Sequence, residues 1–256
     1  MSVLDSIIEG VREELELRRQ PLSQLLEKIS LAPTVIDVHP RLVANPINVI
    51  AEVKRSSPSK GALAKIEDPA ELARSYQNGG AAAISVLTER RRFGGSLDDL
   101  ISVRSEVSIP ILRKEFMVDE YQFYEARAAG ADIVLLIVAA LSKNQLKDYF
   151  DLATELGMAS LIEVHTEAEL EDAMEINPRI VGVNSRNLKT LEIDLANFDN
   201  LIPRIPTGTI AVAESGITSK AEVRRAYELG ARSILVGETL VKSGDPARAI
   251  SELSEL

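Results

Sequence analysis

Hydrophobic and polar positions follow one spacing near the N-terminus and a different spacing in the rest of the chain. Over residues 3–19, apolar side chains recur every three or four positions with charged residues between them, which predicts an amphipathic helix. Pro21 ends this pattern, and a second short helix is predicted over residues 22–29, before a stretch that contains three prolines. We therefore predict that residues 1–46 form a helical extension packed on the main fold.

From residue 47 to residue 256, short apolar segments typical of strands alternate with longer amphipathic segments typical of helices. The predicted strands cover residues 47–54, 82–87, 109–114, 132–137, 159–164, 179–184, 209–214 and 233–237. The predicted helices cover residues 68–79, 96–105, 119–129, 142–156, 166–176, 195–202, 218–229 and 246–254. The pattern thus predicts eight strand-helix units in one catalytic domain over residues 47–256.

Gly80, Gly130 and Gly230 support this count, because each ends a predicted helix and is followed by an alanine and the next strand. Glycine suits the left-handed conformation in which helices commonly end. The intervals between these glycines are 50 and 100 residues, which correspond to two and four units of about 25 residues. Strand count and glycine spacing therefore agree.

Strands joined through helices are parallel, and eight such right-handed units close into a (β/α)8 TIM barrel. The predicted fold class is therefore α/β, a single barrel with a helical N-terminal extension. An open doubly wound sheet is the alternative. Its first strand is usually followed by a glycine-rich turn, whereas this chain has Arg-Ser-Ser-Pro-Ser at residues 55–59.

Polar and charged side chains stand where the predicted strands end, which is where barrel enzymes place their active sites. In the first strand, alternate residues give one apolar face and one face that carries Glu52 and Lys54. The inward face of later strands ends in Lys114, Glu163, Asn184 and Glu214. Each charge alone could belong to a structural ion pair, but two lysines and three glutamates at one mouth predict a catalytic cluster.

Residues beyond the strand ends suggest what this mouth binds. Barrel enzymes often hold a phosphate after strands seven and eight, where this chain has Ser215, Gly216, Gly237 and Glu238. These glycines could equally serve only to turn the chain. Four apolar residues near strand ends could line a pocket for a flat ring or could merely cap the core. They are Phe93, Phe116, Leu135 and Leu188.

Composition excludes several classes of function. The net charge of the 256 residues is −10, so a basic surface for nucleic acid is not expected. Without cysteine, and with only His39 and His165, the chain lacks the residues for thiolate or histidine-rich metal sites and for a serine-histidine triad. Acid-base chemistry must then use Lys, Glu or Asp. His165 is interpreted as a loop residue without an assigned role, and residues 90–92 as a solvated arginine run.

The N-terminus carries acidic rather than basic charges, and no apolar run approaches the length that spans a membrane. We therefore expect a cytoplasmic protein that has no membrane partner.

Six segments, each at a predicted strand end, give a more specific indication. They are residues 50–59, 112–116, 161–165, 182–188, 213–217 and 236–238. In this order they resemble the indole-3-glycerol phosphate synthase family of tryptophan biosynthesis, and the resemblance covers essentially the whole chain. It implies a carboxy-lyase that converts 1-(2-carboxyphenylamino)-1-deoxyribulose 5-phosphate into indole-3-glycerol phosphate, carbon dioxide and water, without cofactor or metal. A phosphorylated small-molecule substrate and a monomeric enzyme are expected.

The resemblance also implies residue roles. Lys114 would be the general acid that polarises the substrate carbonyl for ring closure. Glu163 would transfer a proton during the later dehydration, with Asn184 positioning it. Lys54, oriented by Glu52, would hold the anthranilate carboxylate or act as an acid in dehydration. A desolvated lysine with a lowered pKa would suit a proton donor, so we expect a lowered pKa for Lys114.

Substrate contacts follow from the same resemblance. The phosphate and polyol would be surrounded by Ser57, Arg186, Gly216, Gly237 and Glu238, with Glu214 and Ser215 completing the mouth. The aromatic ring would be enclosed by Pro58, Phe93, Phe116, Leu135 and Leu188. The loop at residues 55–61 would be a mobile cover.

Two features bear on how far the resemblance extends. Ser185 stands where many relatives have asparagine, so this chain lacks the second side-chain amide of that motif. The chain ends one helix after strand eight, so we expect no fused isomerase domain.

Two other interpretations remain open. One is a different phosphosugar barrel enzyme, such as an isomerase or a lysine Schiff-base aldolase that uses Lys114. The other is a non-catalytic phosphate-sensing barrel. Such a protein could lose its acid-base residues, whereas this chain keeps both lysines and all three glutamates.

Overall fold

Eight parallel strands form a closed barrel in the computed structural model of the protein, which describes residues 2–256. The strands are β1 (Asn48–Val53), β2 (Ala83–Leu87), β3 (Ile111–Lys114), β4 (Ile133–Ile137), β5 (Ala159–Val164), β6 (Ile180–Asn184), β7 (Ile210–Glu214) and β8 (Ser233–Val236). Each strand pairs with its neighbours in sequence, and β1 pairs with β8 to close the barrel. The predicted (β/α)8 barrel is confirmed.

Helices connect the strands and also precede them. They are α1 (Val3–Arg18), α2 (Leu22–Leu31), α3 (Pro69–Asn78), α4 (Leu97–Glu106), α5 (Tyr121–Ala128), α6 (Lys143–Glu155), α7 (Glu167–Met174), α8 (Ala196–Leu201), α9 (Lys220–Leu229), α10 (Glu238–Val241) and α11 (Pro246–Ser254). Most predicted bounds hold to within two residues. Strand β3 begins two residues later than predicted because Pro110 has no N–H for the ladder.

Short elements within loops escaped the sequence pattern. A two-stranded hairpin, Ser56–Ser57 with Gly61–Ala62, forms in the loop after β1, and helix α10 follows β8. Each is too short to show a hydrophobic period, so periodicity could not predict it. Both border the barrel mouth.

Side chains along each strand alternate between two faces, and each face packs in a different apolar layer. Val49, Ala51 and Val53 of β1 face outward and pack in the layer between barrel and helices. Leu112 and Leu161 face inward and fill the barrel interior. Parity therefore directs Lys114 and Glu163, two residues later on the same face, to the C-terminal mouth, as predicted.

The repeated glycines have the conformation that the sequence predicted. Gly80, Gly130 and Gly230 have φ angles of 91°, 90° and 117°, in the left-handed region that residues with a Cβ rarely adopt. Each allows a helix to end abruptly and the next strand to begin, which keeps the units short.

The N-terminal segment runs from one end of the barrel to the other. Leu4 and Ile7 of α1 pack with the residues of the barrel interior. Arg18, at the end of α1, pairs with Glu125 of α5 at 2.8 Å. The chain then passes beneath the barrel, where the side chain of Asn48 at the start of β1 donates to the carbonyl of Leu42. Helix α1 therefore lies against the mouth.

Candidate active site

The end of β1 forms the first wall of the mouth. Glu52 is 3% exposed, and Lys54, one residue beyond the strand, returns its ammonium to Glu52 Oε1. A Cβ atom at Gly237, after β8, would lie 2.6 Å from the same oxygen. Gly237, predicted from the sequence to contact the phosphate, therefore also makes room for this carboxylate.

Lys114 lies between two carboxylates contributed by other strands. Its Nζ is 2.6 Å from Oε2 of Glu163, on β5, and 2.6 Å from Oε2 of Glu214, on β7. Both carboxylate side chains are 2% exposed, and that of Lys114 is 13% exposed. Burying unpaired charges is costly, so the ammonium stabilises two carboxylates that would otherwise repel each other.

The second oxygen of Glu163 has its own neighbours. Nδ2 of Asn184 donates to Oε1 at 3.0 Å, and Oδ1 of Asn184 accepts the backbone N–H of Arg186 at 2.9 Å. Nε2 of His165 lies 3.2 Å from the same Oε1. His165 follows β5 in a loop, as predicted, yet its side chain is only 8% exposed and contacts the site.

The charges around Lys114 change the pKa values of the cluster. Burial lowers the pKa of Lys114, but Glu163, Glu214 and Glu52 raise it by more, so the net pKa lies above the ordinary lysine range. The lowered pKa expected from the sequence is therefore wrong for this structure. The reason is that two carboxylates lie only 2.6 Å from the ammonium, and their attraction outweighs the desolvation on which the expectation rested.

The two glutamates that flank Lys114 are affected in opposite directions. For Glu163, burial favours the neutral form, but Lys114 and His165 outweigh it and lower the pKa. For Glu214, burial and repulsion from Glu163 outweigh Lys114 and raise the pKa to about 7. One carboxylate is therefore held ionised while the other can carry a proton near neutral pH, which separates base from acid.

The mouth opens into a cavity of about 300 Å³. Apolar side chains cover part of its wall, and the rings of Phe93 and Phe116 have centroids 6.2 Å apart. The other predicted apolar residues, Pro58, Leu135 and Leu188, border the same space. A flat apolar ring fits such a surface, since most of a ligand pocket is usually apolar.

The opposite part of the cavity is polar. Arg186 donates from Nη1 to Ser59 in the loop after β1, at 3.0 Å. Glu238, at the first position of α10, is paired with Lys60 at 2.8 Å and with Lys242 at 2.7 Å. Burial lowers the pKa of Arg186, although it is opposed by the charge of Glu238. The lysines and Arg186 supply positive charge to a mouth that otherwise holds carboxylates.

The turn after β7 brings backbone into the polar part. Ser215 and Gly216 have φ angles of 66° and 75°. A Cβ atom at Gly216 would lie 2.6 Å from the side chain of Leu195, so this position requires glycine for both angle and space. Ser215 adopts the left-handed conformation without being glycine, a strain that is typical of functional sites.

Every residue that the sequence predicted for the site borders this one cavity. Sequence reasoning missed Leu4 and Ile7 of α1, which also line it, together with Ser59, Lys60 and Lys242. The apolar spacing of α1 identified its buried face, but nothing in the spacing says which surface that face covers.

The loop that carries Phe93 is fixed by a missed residue, Glu89. Its carboxylate accepts the backbone N–H groups of residues 91–93 at 2.7–3.0 Å. Arg91 pairs with two glutamates of α1, at 2.6 and 3.2 Å. The arginine run at residues 90–92 is exposed, as predicted, and it also attaches α1 to the mouth.

Within residues 2–256, no group of three or more His, Cys, Asp or Glu side chains is arranged to hold a metal ion. Over the same range, no helix is both long enough and apolar enough to cross a membrane.

Comparison with known proteins identifies relatives along nearly the whole chain. A family model described as indole-3-glycerol phosphate synthase matches residues 4–253. The indole-3-glycerol phosphate synthase of Mycolicibacterium vanbaalenii is 53% identical over 254 residues, which cover 98% of this chain and 93% of that protein. The protein of the same name from Rhodococcus jostii is 53% identical over 255 residues, covering 99% of this chain and 95% of that protein.

Solved structures of more distant proteins share the fold. 3-Hexulose-6-phosphate synthase from Salmonella typhimurium has a TM-score of 0.64 at 15% identity, over 81% of this chain and 97% of that chain. Thiamine phosphate pyrophosphorylase from Pyrococcus furiosus has a TM-score of 0.60 at 18% identity, over 82% and 94%. Such identities indicate the barrel alone. The family match and the sequence relatives are more specific, and this chain belongs to the indole-3-glycerol phosphate synthase family.

Proposed function

We propose that this protein closes, decarboxylates and dehydrates 1-(2-carboxyphenylamino)-1-deoxyribulose 5-phosphate to indole-3-glycerol phosphate, carbon dioxide and water. Family membership supports this reaction. The single observation that carries it is the ammonium of Lys114, held 2.6 Å from Glu163 and from Glu214 beside an apolar wall. The reaction needs a proton donor and a base beside a flat ring, and this mouth has both.

Lys114 is proposed as the general acid of ring closure. The ring carbon that carries the carboxylate attacks the ketone, and the ketone oxygen takes a proton from Nζ to become a hydroxyl. Loss of carbon dioxide from that carbon then restores the aromatic ring. Because carboxylates raise the pKa of Lys114, the lysine stays protonated at neutral pH, and an ammonium fixed in a desolvated site stabilises the developing alkoxide.

Dehydration of the newly closed ring needs a base that removes a proton from a C–H group of that ring. It also needs an acid that protonates the departing hydroxyl. Glu163 is proposed as the base, since its pKa is lowered and Asn184 fixes one of its oxygens. Lys54, paired with Glu52, is proposed either to donate the proton that makes the hydroxyl leave as water or to hold the anthranilate carboxylate.

Substrate binding is proposed to use both parts of the cavity. The aromatic ring would lie against Pro58, Phe93, Phe116, Leu135 and Leu188, which form the apolar wall. The phosphate and polyol would lie against Ser57, Arg186, Glu214, Ser215, Gly216, Gly237 and Glu238. The phosphate would compete with Glu238 for the ammonium of Lys60, which pairs with that carboxylate at 2.8 Å.

The test is direct conversion of the synthetic substrate by purified protein, followed by the fluorescence of the indole product. We expect product with and without prior treatment by a chelator, because none of the proposed steps uses a metal. Lys114→Gln should lower turnover by about 10²–10⁴-fold, the usual contribution of a general acid. Lys147→Gln removes an exposed lysine that pairs with Asp151, and this control should keep wild-type turnover.

Absence of product with folded protein would refute the proposed reaction. The aldolase alternative predicts a Schiff base, so borohydride with substrate present would add covalent mass to Lys114. We expect no such adduct. A phosphate-sensing barrel would bind the substrate without converting it, and an isomerase would leave its carboxyl group in place.

Location, assembly state, partners and domain division complete the proposal. We propose that the enzyme acts in the cytoplasm as a monomer, on a phosphorylated small molecule and without nucleic-acid or membrane partners. We also propose that residues 1–46 are an extension and residues 47–256 the catalytic domain. Light scattering coupled to gel filtration would test the monomer, since a dimer would elute with twice the mass.

A further inference from the structure

His165 is a buried imidazole to which the proposed roles give no function. It lies two positions after Glu163, so strand alternation directs both side chains to the same face. The chain has one other histidine, His39, which contacts Asp37 at 2.6 Å and does not border the cavity. His165 can therefore be tested against an internal control.

Glu169 fixes the orientation of the ring. It is the third residue of α7, whose N-terminus is capped by Thr166. Its Oε2 accepts the backbone N–H of His165 at 2.8 Å and lies 3.0 Å from Nδ1. Since an ionised carboxylate only accepts hydrogen bonds, Nδ1 carries a proton.

The opposite nitrogen of the ring points to Glu163. Nε2 of His165 is 3.2 Å from Glu163 Oε1, within the distance of an ion pair but without hydrogen-bonding geometry, and within residues 2–256 this nitrogen has no hydrogen-bond partner. A buried nitrogen without a partner is costly. A positive charge on the ring offsets part of that cost through its attraction to the carboxylate of Glu163, which favours the doubly protonated imidazolium.

We propose that His165 is a positioning residue for Glu163: held by Glu169, its imidazolium places a positive charge 3.2 Å from Oε1 and keeps this carboxylate ionised and oriented. The inference rests on the proposed function, in which Glu163 removes the proton during dehydration. Lys114 contacts Oε2, while Asn184 and His165 contact Oε1, so both oxygens of the base are fixed.

The surrounding charges agree with this assignment. Glu163 and Glu169 are the charged groups that contact the ring, and the neighbouring side chain of Asn197 is neutral and donates to the backbone carbonyl of His165. Burial lowers the pKa of His165, but the two carboxylates raise it by more, to about 9. The imidazole therefore stays charged through the neutral range.

Removing this cation should make Glu163 easier to protonate. The ionised fraction of the base would then fall at a higher pH, so the acid limb of kcat should move upward by about one pH unit. Because His165 does not line the substrate cavity, KM should remain close to the wild-type value.

The kinetic test compares His165→Phe, which keeps a ring without donors, with His165→Gln, which keeps a neutral donor near Nε2. We expect the larger upward shift of the acid limb for the Phe variant, a smaller shift for the Gln variant, and none for the control His39→Phe. An unchanged acid limb in both His165 variants would overturn the proposal, as would a change confined to KM.

A second measurement depends neither on turnover nor on the folding of a His165 variant. In ¹⁵N-labelled wild-type protein, NMR of the imidazole nitrogens should show one histidine protonated on both nitrogens at pH 7, with a pKa near 9. The His39→Phe spectrum should retain this signal, and Glu169→Gln should lower its pKa. A neutral His165 at pH 7 would overturn the proposal, whereas a wild-type protein without turnover would refute the proposed reaction alone.

Discussion

At the scale of single residues, one ammonium group in the mouth contacts two carboxylates that differ in their other neighbours. Lys114 is equidistant from Glu163 and Glu214, yet the two carboxylates differ in proton affinity. Glu163 has His165 and Asn184 beside its second oxygen, whereas Oε1 of Glu214 is buried without a hydrogen-bond partner in the described residues. The groups beside the second oxygen of each carboxylate therefore decide which of the two stays ionised.

This asymmetry predicts a pH-dependent stability effect of Glu214→Gln. The pKa of Glu214 is about 7 in the folded protein against an ordinary 4.5, so the folded state binds more protons than the unfolded state between these values. Stability of the wild type then falls as pH rises through this interval. Relative to wild type, Glu214→Gln should gain about 3 kcal/mol between pH 4.5 and pH 8.

Urea unfolding at a series of pH values measures this difference. Glu27→Gln, on the exposed face of α2, makes the same chemical change at the surface and should show no such trend. A stability difference between Glu214→Gln and wild type that stays constant with pH would contradict the assignment of a raised pKa.

At the scale of elements, neighbouring strands are shaped around one another's charges. Gly182 of β6 is paired in register with Glu163 on one side and Val212 on the other. A Cβ atom at Gly182 would lie 1.9 Å from Oε1 of Glu214. This glycine is therefore required by the space that a carboxylate on the adjacent strand occupies.

Gly182→Ala should accordingly disturb the site through Glu214. Overpacking a well-packed interior costs about 1–3 kcal/mol, and kcat/KM should fall by at least about tenfold because Lys114 would follow the displaced carboxylate. Unfolding experiments and the indole fluorescence assay measure the two effects. Gly244→Ala, where an added Cβ meets no atom within 4 Å, should be neutral in both. Equal behaviour of the two variants would show that the space at Gly182 is not needed.

At the scale of the whole molecule, the substrate cavity is not made by the barrel alone. Ile7 of α1 lines the cavity, while Val11, one turn later and equally buried, does not. Helix α1 is held there by Arg91 from the loop after β2 and by the pairing of Arg18 with Glu125 of α5. The N-terminal helix thus contributes a wall to a site whose central charges, those of Lys114, Glu163 and Glu214, come from strand ends.

Ile7→Ala should therefore affect binding as well as stability. Loss of a buried isoleucine side chain costs about 2–5 kcal/mol of stability, and the missing apolar wall should raise KM by about three- to tenfold. Val11→Ala removes buried volume from the same helix and should lower stability without changing KM. Steady-state kinetics and urea unfolding of both variants separate the effects. An equal change of KM in the two variants would indicate that α1 acts only through stability.

Much of this architecture follows from local patterns. The periods of 2 and 3.6 residues predicted the barrel strands and most helices, and parity placed Glu52, Lys114, Glu163 and Glu214 at one mouth. Short elements such as α10 escaped because a period needs length to be visible. The contacts of His165 escaped because its partner Glu169 belongs to the next helix.

The sequence by itself determined the fold, the family and the strand-end residues around the cavity, because the alternation of side chains along each strand is a local property. Only the tertiary structure decided how the charges interact. The pKa of Lys114 is raised rather than lowered because carboxylates from other strands surround it. The covering of the cavity by α1 is likewise decided by packing between segments that are distant in sequence. Electrostatic energies depend on distances through space, which spacing along the chain does not give.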